Sequence, residues 1–246
     1  MLAWSSILAT LLAVSAATLP VIAVDAGHGG TQSGAYGVCG VYEKDVSLGI
    51  ARDLAELLTA SGKVDVRLIR AGDETLSLEE RSARANAAGA ALFISIHANA
   101  SDNPVSRGVE TYFLSRTAAD RRIARLALVE NDGKRTLPVT DNDALTLILD
   151  GLVLQAAHQE SQRLAARVQD AVQAVMGGRG RGMLQAPFIV LRGAEMSAVL
   201  VETGFLTNRD DCALLADPVT RRAIGRALTS AVLEHLMNDS LSAARQ

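Results

Sequence analysis

From residue 19 onward, short apolar runs alternate with longer stretches of three- and four-residue apolar spacing, the pattern of buried strands separated by amphipathic helices. LPVIAVDAG, starting at Leu19, reads as a strand ending at Asp25 and Gly27, and a glycine-rich loop follows. Residues 43–60 carry Val46, Leu48, Ile50, Leu54, Leu57 and Leu58 at helical spacing and stop at Gly62. VDVRLIR (64–70) alternates and is rich in β-branched residues, a second strand. The next helix opens with Ser77 and Glu80 at capping-box spacing and runs to Gly89. ALFISIHA, RGVETYFLS from Arg107, PFIVLR (187–192) and AVLVET bring the strands to six, and a last helix covers about 218–237. Several of these runs are apolar throughout, as strands covered on both faces are. The pattern therefore predicts an α/β domain with a central, mostly parallel or mixed sheet of about six strands flanked by helices.

One stretch exceeds a minimal α/β unit. About seventy residues between Ser115 and Pro187 contain no convincing strand, which predicts a helical insertion over about 117–178. Its middle begins with the cap-like Asp141, Asn142 and Asp143 and places Leu145, Ile148, Leu149, Leu152 and Val153 on one stripe, with Gly151 positioned to bend it. A second helix over 161–176 continues with Leu164, Val168, Val172 and Val175. A segment apolar on more than one side must bury against something, and a cleft on the domain is one candidate. Arg121, Arg122 and Arg125 read as a solvated helix face.

No charge precedes Asp25, and residues 2–17 have the length of a signal-peptide apolar region with small-x-small cleavage options, although a basic start is missing. Ser5, Ser6, Thr10, Ser15, Thr18 and Pro20 dilute the run below what a stable membrane span requires. The reading is an exported chain: signal 1–18, one domain over 19–240, tail 241–246. The 24 Lys+Arg and 27 Asp+Glu give a net charge of −3 without a broad basic face, which argues against nucleic acid as a partner. Two cysteines, Cys39 and Cys212, make no disulfide framework and read by default as unpaired small hydrophobes, with pairing left open.

Candidate chemistry gathers where strands end. His28 in VDAGHGG, His97 in SIHANA and Glu202 in VLVETGF all lie at or just past the carboxyl ends of predicted strands, where open α/β sheets build sites, and Glu43 starts the first helix. The GHGG loop has neither phosphate-binding glycine spacing. Its glycines instead let the backbone bring His28 close to an ion. Two imidazoles and carboxylates at such junctions suit zinc with one coordination position left open. Asn99 is a candidate for holding the His97 loop or a substrate amide, the plainer reading being a turn residue. Arg192 is a candidate for a peptide carboxylate, or else a solvated edge charge.

VIAVDAGHGG, YEKDVSL, SLEERSARANAAGAALFISIHANA, RGVETYFL and VLRGAEMSAVLVETGFLTN together resemble the zinc-dependent N-acetylmuramoyl-L-alanine amidases of bacterial cell walls, over about residues 21–236. The resemblance implies one Zn2+ held by His28, Glu43 and His97, with Glu202 as the catalytic carboxylate. It also implies cleavage in peptidoglycan between N-acetylmuramic acid and L-alanine, in the periplasm or outside the cell, in wall remodelling or daughter-cell separation. Within this family, some division-associated enzymes carry a helical insertion after the RGVE strand that covers the zinc cleft until an activator protein displaces it. The expectation here is that the Leu145, Ile148, Leu149 and Leu152 stripe is such an autoinhibitory lid, a plain helical hairpin being the alternative. The competing functional readings are a stem-peptide endo- or carboxypeptidase and a non-catalytic peptidoglycan-binding protein; the latter has no need of a general base such as Glu202.

Overall fold

The computed structural model describes residues 18–134, 144–178 and 180–243. The predicted signal segment and the Asp141-Asn142-Asp143 cap lie outside the described residues. Six strands form one sheet: β1 (Val21–Ala26), β2 (Asp65–Leu68), β3 (Leu92–Asn99), β4 (Glu110–Leu114), β5 (Gly182–Ala186) and β6 (Ser197–Phe205), in the order β2-β1-β3-β6-β4-β5. The first four neighbours run parallel, β4 is antiparallel to β6, and β5 is parallel to β4. The helices are α1 (Glu43–Ala60), α2 (Leu78–Ala87), α3 (Arg121–Glu130), α4 (Ala144–Met176), α5 (Ile189–Arg192), α6 (Arg209–Ala216) and α7 (Pro218–Ala243).

Alternation along each strand divides the interior into two cores. Ile22, Val24, Ile94, Ile96, Val199 and Val201 pack with Ile50, Leu54 and Leu58 of α1, Leu164, Val168 and Val172 of α4, and Ile224, Leu228 and Val232 of α7. On the other face, Ala23, Phe93, Tyr112 and Leu200 pack with Ala85 of α2, Ile123 and Ala127 of α3, and Val190 and Leu191 of α5. All eight residues of β3 are buried, which accounts for its unbroken apolar run. The capping box forms as predicted: Glu80 N–H donates to the Ser77 hydroxyl, and Ser77 N–H donates to the Glu80 carboxylate.

Three sequence expectations need correction. PFIVLR is not a strand: β5 ends just before it, Pro187 has no N–H for a ladder, and Ile189–Arg192 turns into α5. Phe188, Val190 and Leu191 are buried in either geometry, so a short apolar run could not distinguish them. The two helices predicted over 141–176 are one, α4, running through Gly151, and its second half belongs to the core. Cys39 and Cys212 are disulfide-bonded with Cα atoms 5.8 Å apart, tying the loop before α1 to α6 across 173 residues of chain. Spacing alone could not show that approach.

Candidate metal centre

The loop after β1 is built by close approach. A Cβ on Gly27 would lie 2.4 Å from the His97 ring, and one on Gly34 would lie 2.6 Å from both the Glu43 carboxylate and the His28 ring. Between them, His28 adopts φ 59°, a left-handed conformation rarely held by a non-glycine residue and found where a site over-determines the backbone. Two buried arginines hold the loop from beneath. Arg70 donates to the carbonyls of Ala26 (2.7 Å) and Gly27 (2.8 Å), and Arg81 donates to those of Ala26 (2.7 Å) and His28 (2.6 Å). Arg81 also pairs with buried Asp25 at 2.8 Å.

Four side chains converge above this platform. Glu43, the first residue of α1, is fixed by the Ala98 N–H on Oε1 (3.1 Å) and the Ala35 N–H on Oε2 (2.9 Å). Its Oε1 lies 3.0 Å from both His28 Nε2 and His97 Nδ1. The fourth is Glu130, the last residue of α3, whose Oε2 lies 3.3 Å from His28 Nε2 and 3.0 Å from His97 Nδ1. One ligand atom from each of the four lies within 4.8 Å of every other. His28 Nε2 and Glu130 Oε2 are buried without a hydrogen-bond partner, although polar atoms removed from water are normally satisfied. Two imidazole nitrogens and two carboxylate oxygens facing one point are the donor set that zinc accepts, so the residues fit a divalent ion.

The charges agree with that fit. Burial alone would lower the His28 imidazole, but the carboxylates of Glu43 and Glu130 outweigh it and hold it at about 9; His97 is raised for the same reason. Burial would raise Glu43, and the two imidazoles instead hold it below the usual carboxylate range.

Glu202 lies beside the cluster. His97, Glu202 and Glu110 are register partners across β3, β6 and β4, so their side chains form one row on the same sheet face. Glu202 is fully buried with no hydrogen bond to either oxygen, and burial, then the charge of Glu130, pushes it well above the ordinary carboxylate value. Glu110 is the opposite case: it accepts from Asn99 (3.0 Å), Tyr112 (2.6 Å) and Arg181, and Arg122 lies 2.8 Å away. Glu202 is thus the carboxylate in the row free to handle a proton.

The family profile described as N-acetylmuramoyl-L-alanine amidase matches residues 22–234. The chain belongs to the N-acetylmuramoyl-L-alanine amidase family. It is 35% identical over 219 residues to the amidase AmiA of Escherichia coli K12, covering 87% of this chain and 75% of AmiA. It is also 35% identical to LytC of Bacillus subtilis 168 over 84% of this chain and 34% of LytC. The crystal structure of an amidase from Clostridium difficile 630 superposes with TM-score 0.68 at 26% identity, covering 89% of this chain and 97% of the other. The catalytic domain of CwlV from Bacillus (Paenibacillus) polymyxa var. colistinus gives 0.67 at 26% identity.

The amidase brings together all four residues singled out from sequence, His28, Glu43, His97 and Glu202, and adds Glu130. Sequence reading placed Glu130 inside the insertion without marking it, because a glutamate ending a charged helix looks like any solvated one. Arg122, read as solvated, instead reaches buried Glu110, whereas Arg125 pairs with Asp102 on the surface. Asn99 is no turn residue: it ends β3 and spends its amide on Glu110. Arg192 ends α5, the helix that packs against α2. The side chains of Leu145, Ile148, Leu149 and Leu152 lie outside the described residues. The part of the insertion that reaches the ligand cluster is the end of α3.

Proposed function

We propose that this amidase hydrolyses the amide between N-acetylmuramic acid and L-alanine in peptidoglycan with one zinc ion held by His28, Glu43 and His97. The observation that carries the reading is the convergence of these three side chains beside Glu202, a buried carboxylate with no other partner. A bound zinc ion supplies Lewis acidity, polarising a carbonyl and lowering the pKa of water from 15.7 toward about 7. The chain's own residues do the rest. The Ala98 and Ala35 N–H groups orient Glu43, and the Arg70–Arg81 platform fixes His28. A Glu202 oxygen takes the proton of the attacking water and returns one to the departing L-alanine nitrogen, so no net charge is left on the enzyme.

Glu130 gives this arrangement a closed form. Its carboxylate takes the fourth position around the ligand cluster, where water and the scissile carbonyl need access. α3 is held shut by the Asp120 cap, by burial of Ile123 and Ala127, and by Asn131, which bonds the Pro187 carbonyl (2.9 Å) and the Ile189 N–H (2.8 Å). We read α3 as an autoinhibitory lid, and its exposed Leu128 and Val129 as where an activator protein would grip it. Export fits the uncharged residues 2–17 and the Cys39–Cys212 disulfide, a bond that persists in oxidising compartments. Among the described residues, no helix is long and apolar enough to cross a membrane.

The test is Glu202→Gln. The variant is expected to keep its zinc and to lose at least about a hundredfold in turnover, the lower end of what a positioned proton carrier contributes. Turnover within tenfold of the parent would assign the proton transfer to another group.

A further inference from the structure

The row of side chains that carries His97 and Glu202 ends at Glu110, whose partner on β5 is Gly182 and whose carboxylate meets Arg122 and Arg181. Beyond it opens a cavity of about 630 Å³ lined by Val105, Arg107, Arg122, Gly178, Gly180 and Arg181. Every charged side chain in that lining is a guanidinium. Arg122 and Arg181 share the single charge of buried Glu110, and the Arg181 guanidinium sits 5.3 Å above the Phe205 ring centre. Arg107 pairs with the exposed Asp210 at 2.9 Å and lies 3.8 Å from buried Asp211. Three guanidiniums thus face two buried carboxylates and one solvated one. Each carries five N–H donors, more than these contacts use.

We infer that this cavity is a subsite for a free carboxylate on the stem peptide of the substrate, an assignment that rests on the amidase reading. Guanidinium forks match planar oxyanions. The glycan side of the scissile amide offers none, since N-acetylated sugars are neutral and the lactyl carboxyl is the acyl group being cut. The peptide side carries free carboxylates. Neighbouring strands lie ~4.8 Å apart, so Glu110 stands roughly 10 Å along the row from His97, and an extended peptide advances ~3.3 Å per residue. The carboxylate that reaches the arginines therefore belongs to the second or third residue after the cut. Arg107 and Arg181 come from the body of the domain and Arg122 from α3, so the subsite spans the seam between domain and lid.

The experiment compares two soluble N-acetylmuramyl tripeptides, one with free peptide carboxylates and one with those groups as carboxamides, cleaved by zinc-loaded protein in a Glu130→Ala background. The parent is expected to prefer the carboxylate form roughly tenfold in kcat/KM, the scale of one charge-assisted hydrogen bond. Arg107→Gln is expected to raise KM for that form alone, bringing the two ligands to parity with kcat unchanged, and Arg107→Lys to restore part of the preference. Equal cleavage of both ligands by the parent, or an equal KM rise for both in Arg107→Gln, overturns the subsite while leaving the amidase reading intact. Cleavage of neither overturns the amidase reading and the subsite with it.

Discussion

Glu130→Ala separates a lid from a permanent ligand. In the closed structure the Glu130 carboxylate makes two contacts, at 3.0 Å to His97 Nδ1 and 3.3 Å to His28 Nε2, and these nitrogens also serve the proposed ion. Attraction between a buried carboxylate and a cationic centre at such distances is on the scale of a charge-assisted contact, ~1.5–3 kcal/mol net. Removing it, at 1.36 kcal/mol per factor of ten, raises the open fraction roughly ten- to a hundredfold while that fraction is small. The helix itself remains anchored by Asn131, so the variant should fold. Release of dye-labelled peptide from purified cell-wall sacculi by zinc-loaded protein, without any partner, should therefore rise by that factor, with Glu130→Gln in between because it keeps shape and loses charge. Zinc per chain should stay at one. Activity within twofold of the parent would refute the closed-state reasoning, and loss of zinc together with activity would make Glu130 a working ligand.

Two further outcomes follow from the buried charges. Arg81→Met leaves Asp25 buried with only the Ser95 hydroxyl at 2.8 Å, which should cost ~3–5 kcal/mol in denaturant unfolding, with partial recovery in Arg81→Met/Asp25→Asn; a loss under about 1 kcal/mol would show that the pair is not structural. In metal-free protein, His28 titrates at about 9 against an ordinary 6.5, so its stabilisation is complete below 6.5 and is lost as pH rises through about 9. Glu202, also raised, acts in the same direction, while Glu43 and Glu130, both lowered, are fully ionised throughout that window. The melting temperature of chelator-treated protein should fall between pH 6.5 and 9.5, and a flat or rising profile contradicts the cluster's electrostatics.

What could be read from the sequence was what depends on local pattern. Strand cores such as LFISIH show burial on both faces as unbroken apolar runs, and the Ser77–Glu80 box announces its own helix start. His28, His97 and Glu202 were recognisable because such sheets build sites toward the carboxyl ends of their strands, although β3 and β6 run on past His97 and Glu202 to Asn99 and Phe205. What sequence hid depends on tertiary approach. Arg70 and Arg81 sit in ordinary polar positions of a strand end and a helix, yet point inward to carry the backbone of the His28 loop. The Cys39–Cys212 bond spans most of the chain. Glu130 shares its helix with surface arginines, and only the packing of α3 beside β5, with Asn131 tied to Pro187 and Ile189, brings it to the histidines. Arg122 was misread for the same reason: its partner, Glu110, is buried one strand away from Glu202.

The most direct test is mass analysis of the soluble products from purified sacculi treated with the Glu130→Ala protein, with and without a chelator. The account predicts intact stem peptides beginning with a free L-alanine amine, leaving unshortened glycan, and no products once the ion is stripped. Peptides cut internally, or the same products at full yield in the chelator, would contradict it.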